Sequence, residues 1–180
     1  MSLEHLWAGW RLDYIRAAVE DPGTFGPDPD DGRSLFERIL HSGLADDETY
    51  VLTRGEHTFA LLNAYPYTSG HLLVLPQRAV ADLEALSTVE AADLWATVHQ
   101  AVVAIKAAYQ PEGVNVGANL GQGAGAGVPD HLHVHCLPRW RGDTNFMTTI
   151  AETRVMPEAL DVTWRRLRDA WPGREPTPPQ

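Results

Sequence analysis

Histidines stand at alternate positions in the segment His131-Leu132-His133-Val134-His135-Cys136-Leu137. On an extended strand alternate side chains face the same way, so the spacing predicts three imidazoles on one face. Leu132, Val134 and Cys136 fall on the other face, and burying them would hold the register and with it the row of rings. Neutral imidazole is a nucleophile near pH 7, while protonated imidazole is an acid and a charge partner for phosphate. Attack on a phosphoryl group makes a phosphoramidate that a second nucleophile can break, so one difficult displacement becomes two easier ones. The same alternation also suits a zinc ion, because imidazole is a common zinc ligand. Spacing alone leaves both chemistries open.

The run Gly121-Gln122-Gly123-Ala124-Gly125-Ala126-Gly127 precedes the row. It carries few side chains, so its backbone N–H groups can approach an anion closely. A glycine-rich loop is a weak signal by itself. Next to a row of imidazoles it points to a phosphorylated small molecule.

These residues need elements to position them. A last strand is predicted from His131 to about Pro138. Val114, Val116, Ala118 and Leu120 alternate with Asn115, Gly117 and Asn119, the period of a half-buried strand. Ser87-Thr88-Val89-Glu90 reads as a capping box. It opens a helix whose apolar stripe is Val89, Leu94, Trp95, Val98, Val102, Ile105 and Tyr109, stopped by Pro111 and Gly113. Upstream, Thr49 to Thr53 and His57 to Leu62 read as strands joined by Arg54-Gly55-Glu56, and His71 to Pro76 as a third. Asn63 to Gly70 is a loop rich in turn formers, and residues 34–41 suit a short helix. Antiparallel strands with one major helix give an α+β fold.

Composition narrows the partners. The 180 residues carry a net charge of −10 and a pI near 5.1, which argues against a surface built to neutralise a nucleic-acid backbone. No apolar run approaches the ~20 residues needed to cross a bilayer, so no membrane partner is expected. The start of the chain lacks the basic and greasy regions of a signal peptide. A lone cysteine, Cys136, excludes an internal disulfide and a four-cysteine zinc site, and a cytoplasmic protein is the simplest reading. Three regions are expected: an arm and acidic loop over 1–33, one domain over 34–171, and a proline-rich flexible tail over 172–180.

The His-φ-His-φ-His-φ-φ pattern at His131 to Leu137, φ being apolar, resembles the histidine-triad family. Asn63-Ala64-Tyr65-Pro66 with Gly70-His71-Leu72-Leu73-Val74-Leu75-Pro76 is similar to that family's nucleoside-binding segment, and Val116 to Asn119 to its phosphate-side strand. Leu6-Trp7-Ala8-Gly9-Trp10-Arg11, Pro138-Arg139-Trp140 and Gly142-Asp143-Thr144-Asn145-Phe146-Met147 resemble a bacterial branch related to diadenosine tetraphosphate phosphorylases and hydrolases. The resemblance implies a histidine-triad fold, with an antiparallel sheet of about five strands, one long helix and a short N-terminal helix. It also implies a homodimer whose sheets join edge to edge.

The implied activity is cleavage of a dinucleoside polyphosphate at the α-phosphate through a nucleotidyl-histidine, with phosphate or water as acceptor. A nucleoside phosphoramidase and a nucleotide-binding protein with little turnover are the alternatives. By resemblance His133 is the nucleophile, His131 orients it, His135 contacts the phosphate or leaving group, and His71 supports the cluster. Asn63 lies near the ribose; Asn119 and the backbone around Gly125, Gly127 and Val128 hold the α-phosphate. No cofactor is required, apart from a divalent cation accompanying the polyphosphate.

Two departures stand out. Relatives often place Gln, Ser or Thr where this chain has Gly127. Relatives also often carry a zinc-binding Cys-x-x-Cys where this chain has Ser34-Leu35-Phe36-Glu37, so no metal is expected. Other residues have two readings each. Arg139 and Arg141 suit distal phosphates or a solvated surface. Trp140 suits a stacked base or a packing contact, and Asp143 and Asn145 suit ligand binding or a turn. His5, His41, His57 and His99 have no partnering pattern, and Cys136 reads as core packing.

Overall fold

A computed structural model describes residues 32–143 and 158–173. The arm, most of the acidic loop, the stretch from Thr144 to Met147 and the end of the tail lie outside the described residues. The chain forms a five-stranded antiparallel sheet with helices on both faces. The strands are β1 (Val51–Arg54), β2 (Thr58–Leu62), β3 (Leu72–Pro76), β4 (Gly113–Ala118) and β5 (Val134–Arg139), in the spatial order β1-β2-β3-β5-β4. The helices are α1 (Leu35–Leu40), α2 (Asp46–Thr49), α3 (Thr88–Tyr109) and α4 (Leu160–Asp169).

Side-chain alternation sorts the strands onto two cores. Leu52, Ala60, Leu62, Leu72, Val74, Val134 and Cys136 point to the face covered by α3 and α4. Val51, Phe59, Leu61, Leu73 and Leu75 point to the other, where Phe36, Ile39 and Leu40 of α1 cover them. Strands β2 and β3 are therefore buried along their whole length, which explains their unbroken apolar runs. The acidic turn of α2 runs into β1 through Tyr50, held at φ 55°, so β1 starts at Val51 and not at Thr49.

Helix α3 begins at the expected capping box: the Glu90 amide donates to Ser87 Oγ, and the Ser87 amide to the Glu90 carboxylate. Its buried stripe is Leu94, Thr97, Val98, Ala101, Ala104 and Ile105. Val89 and Trp95 were expected on it, yet they are 58% and 53% exposed. The reason is the second helix on this face: α4 packs against α3 and β1 and brings Trp164, Leu167 and the following Trp171 into the same core. Small alanines, not a wide greasy stripe, make room for that contact.

Strand β4 is an edge. Val116 and Leu120 are 41% and 40% exposed, so the alternation there marks an uncovered strand and not a half-buried one. At the site itself the ladder starts later than expected. Strand β3 pairs with β5 only from Val74↔Val134 onward. Pro76 has no N–H to extend the pairing, and its carbonyl accepts from a side chain instead. His131 to His133 therefore lead into β5 from outside the ladder, pinned where the Leu132 amide donates to the Val80 carbonyl.

Candidate active site

The lead-in keeps the expected two-faced character. Leu132, Val134 and Cys136 are 2%, 1% and 0% exposed on the α3 side, while the histidines face the α1 side. Burial pushes the Cys136 thiol up to about 12, so it stays protonated and acts as packing.

Hydrogen-bond partners decide which nitrogen of each neutral ring carries its proton. His131 Nε2 lies 2.8 Å from the Pro76 carbonyl, which can only accept. Its Nδ1 must then accept from the Ser34 hydroxyl, 2.6 Å away. His133 Nδ1 lies 2.8 Å from the His131 carbonyl, so that nitrogen holds the proton and Nε2 keeps a lone pair. His71 Nδ1 accepts from the Tyr67 backbone amide at 3.0 Å, with Asn63 Nδ2 at 3.4 Å. His71 Nε2 therefore donates to His135 Nδ1 at 2.9 Å, which leaves the His135 proton on Nε2. The rings of His133 and His135 are 5.0 Å apart. One nucleophilic nitrogen thus stands beside one N–H donor.

Electrostatics favour neutral rings at His131 and His133. Burial lowers the pKa of His133 and, against opposing hydrogen-bonding and charge effects, that of His131. Phe36 of α1 packs against both rings at 5.5 Å between centroids. Ser34 caps α1, accepting from the Glu37 amide, while Glu37 accepts from the amides of Ser34 and Ala79. Burial raises the Glu37 pKa, but those backbone donors outweigh it and hold the carboxyl below its usual range. The first turn of α1 is thereby fastened to the triad.

Other anticipated residues are less centrally placed. Asn63 is buried and closes a turn, its Oδ1 accepting from the Tyr65 amide. In the glycine loop, the amides of Ala124, Gly125 and Ala126 turn back onto the carbonyls of Gly121 and Gln122. Gly121 and Gly125 sit at φ 73° and 90°, which glycine adopts without strain. Val128 is partly buried against the core under α1, and Asn119 is half-buried just past β4. Arg139 is held by Asp143 at 2.6 and 2.8 Å and by Asn115 at 3.2 Å, and Asp143 also accepts from the Trp140 amide in a turn. Trp140 packs edge-on against Tyr109. His57 stands near Glu56 and Asp93, away from the triad. Among the described residues no cluster of His, Cys, Asp and Glu is arranged to hold a metal.

Ser34, Glu37 and Tyr67 are the residues that sequence reasoning passed over. Ser34-x-x-Glu37 was readable as a second capping box, but nothing local pairs Ser34 with a histidine 97 positions away. Tyr67 acts on His71 through its amide, which carries no residue identity; its ring also stacks on His135 at 5.8 Å with 18° between planes.

Known proteins resemble this chain in sequence and fold. The HIT domain model matches residues 45–142. A Mycobacterium tuberculosis protein named AP-4-A phosphorylase is 41% identical over 97% of this chain and 87% of its own length. The asymmetrical bis(5'-nucleosyl)-tetraphosphatase of Schizosaccharomyces pombe is 38% identical over 52% of this chain and 50% of its own. Among solved structures, a hypothetical histidine triad nucleotide-binding protein of Sulfolobus tokodaii superposes with a TM-score of 0.61 at 28% identity, covering 75% of this chain and 89% of that one.

Proposed function

The chain belongs to the histidine-triad family, and on that premise we propose that it cleaves dinucleoside polyphosphates at the α-phosphate through a nucleotidyl-His133 intermediate. The observation that carries this is the His133 Nδ1 bond to the His131 carbonyl. It leaves Nε2 with its lone pair toward the substrate and stabilises the ring cation that forms when Nε2 bonds to phosphorus. In the first step the His133 Nε2–P bond forms and the bridging P–O bond breaks. The leaving nucleoside polyphosphate departs with that electron pair, assisted by the His135 Nε2–H. In the second step an acceptor oxygen attacks phosphorus and the P–N bond returns its pair to His133.

Within this reading His131 orients His133, and His71 orients His135. Asn63 sits by the ribose, and Asn119 with the backbone at Gly127 and Val128 holds the α-phosphate, while the Gly125 amide, expected to join them, is committed to the Gln122 carbonyl. A divalent cation would enter with the polyphosphate, and no other cofactor is invoked. The acceptor we favour is inorganic phosphate, supported by the named activity of the relative that spans nearly the whole chain. Water is the alternative, supported by the S. pombe relative's name.

Incubation with diadenosine tetraphosphate separates them: phosphorolysis gives ADP plus ATP and requires phosphate, whereas hydrolysis gives AMP plus ATP without it. Mass spectrometry of the quenched enzyme should find the adenylyl group on His133. An adduct on another residue would remove the assignment, and cleavage of a nucleoside phosphoramidate alone would favour the phosphoramidase reading.

The domain proposed to do this spans 34–171. No described helix is long and apolar enough to cross a membrane. A cytoplasmic location is proposed from the single cysteine. We further propose a homodimer joined at β4. Its exposed edge, and the open groove of ≈ 560 Å³ between β4 and the end of α3, lined by Val102, Lys106, Val114 and Val116, support a second copy there. Sedimentation of the intact protein as a monomer would remove that proposal.

A further inference from the structure

His133 is aimed by a single peptide group. Its Nδ1–H donates to the His131 carbonyl at 2.8 Å. The N–H of that same peptide unit belongs to Leu132 and donates to the Val80 carbonyl at 2.6 Å. A trans peptide is planar and points its N–H and C=O in opposite directions, and no described peptide bond is cis. Whatever holds the Val80 carbonyl therefore sets the tilt of the plane, and the tilt sets where the His131 carbonyl meets the ring. The pairing of β3 with β5 begins only beyond this plane, at Val134.

The Val80 carbonyl closes the turn that follows β3. Pro76 opens that turn and accepts from His131 Nε2 at 2.8 Å, so the turn holds the nucleophile's support at both ends. On its exposed side Arg78 pairs with Glu90. On the side of the triad its tie is Glu37, whose Oε1 accepts from the Ala79 amide at 3.0 Å, one residue before Val80. The other oxygen, Oε2, accepts from the Ser34 amide at 2.9 Å, and the Ser34 hydroxyl meets His131 Nδ1 at 2.6 Å. One carboxylate thus joins the two segments that touch the His131 ring. A capping box requires only the Ser34 half of this, so the bond to Ala79 is additional to the cap. Glu48 shows the contrast: it accepts from the Ala45 amide at the start of α2, and among the described residues it ties that helix to no other segment.

We propose that Glu37 is a positioning residue for the nucleophile: by bridging the first turn of α1 to the turn at Ala79, it fixes the His131–Leu132 peptide plane and through it the direction of the His133 ring. This rests on the reading that His133 attacks phosphorus. It adds how a nucleophile that stands outside the ladder is kept in line. The demand is strict, because a misplacement of about 1 Å can cost about 100-fold in rate.

The test must separate positioning from stability. With enzyme in saturating excess over diadenosine tetraphosphate, the single-turnover rate constant reports substrate bound to folded protein, so a fraction of unfolded chains does not lower it. Glu37→Ala should lower this rate constant about tenfold or more. Glu37→Gln keeps one acceptor oxygen for two amides, so its rate constant should fall between those of alanine and wild type. Calorimetric AMP binding should stay within about threefold of wild type in both, because the loss belongs to the chemical step. Glu48→Ala removes the comparable cap from α2 and should leave the rate constant unchanged. A Glu37→Ala protein that melts lower yet keeps the wild-type rate constant would overturn the proposal and leave Glu37 a helix cap. An equal fall in Glu48→Ala would overturn it too. Should Glu37→Ala not fold, Glu37→Gln decides by the same criterion. If the wild type cleaved no diadenosine tetraphosphate, or carried the adenylyl group on a residue other than His133, the underlying reading would fail instead. That result is distinct, because it appears before any substitution is made.

Discussion

His71 Nε2 lies 2.9 Å from His135 Nδ1, and only one proton can sit between them. Since the Tyr67 amide already donates to the far nitrogen of His71, the direction of that bond is set by the backbone. His71→Ala should therefore release the His135 ring and randomise which of its nitrogens carries hydrogen. Turnover of diadenosine tetraphosphate should drop by about 10- to 100-fold in kcat, with a smaller change in KM, as for loss of an aligned proton donor. A folded variant with unchanged kcat would deny His71 this positioning role.

The pH dependence follows from burial. His133 is held below its ordinary value of 6.5 by desolvation, so it stays neutral and nucleophilic into mildly acidic solution. The acid limb of kcat/KM should accordingly have its midpoint below that value; a midpoint above it would contradict the buried nucleophile. Stability moves in the same sense. His131 and His133 are lowered on folding, so the unfolded chain binds more protons once pH drops below the unfolded value near 6.5. Their contribution is fully present above that pH and is lost as pH falls through the folded values. Denaturant midpoints measured from about pH 8 down to 5 should decline over the acidic part of that range.

Much of this site was legible along the chain, and the limits are physical. The alternation from His131 to Leu137 correctly separated imidazoles from core residues because period-two patterning survives a late start to the ladder. Likewise the Ser87–Glu90 box marked the start of α3 correctly. The buried face of α3 was misjudged because apolar side chains compete for few core positions. Here α4 selects Ala101 and Ala104 and leaves Trp95 outside. The partners of the triad were hidden for another reason: Pro76 and Tyr67 contribute backbone atoms, and Ser34 arrives from far away in sequence.

Ser34 offers a direct measure of that hidden contact. Its hydroxyl accepts from the Glu37 amide and donates to buried His131, so Ser34→Ala removes a helix cap and orphans an imidazole nitrogen at once. The cap alone is worth about 0.5–2 kcal/mol. An unpaired buried acceptor adds roughly 1–3 kcal/mol. Ser34→Thr keeps the hydroxyl and should recover most of the loss. Urea unfolding at pH 7.5 distinguishes the cases through the midpoint at constant slope; equal midpoints for alanine and threonine would mean that the hydroxyl contributes nothing.

The last relationship ties the far helix to the site. Gly70 precedes His71 at φ 83°, and a Cβ there would lie 2.8 Å from Tyr109 Cε2 and 3.1 Å from Pro138 Cγ. Tyr109 cannot easily give way: its hydroxyl donates to Glu158, just before α4, which also accepts from Thr163 Oγ1 and pairs with Arg166 of that helix. Burial and the neighbouring Glu158 carboxylate push its pKa up, so the phenol stays a donor. Gly70→Ala should then cost about 1–2 kcal/mol from left-handed backbone. Overpacking against the ring adds about 1–3 kcal/mol. Pairing it with Tyr109→Leu relieves the second contribution and not the first, so the two substitutions should be less than additive. Additive losses in unfolding free energy would show that Tyr109 does not press on the segment carrying His71. If the contact is real, Gly70→Ala should also lower kcat before it unfolds the protein, because the displaced backbone is the one that orients His71 toward His135.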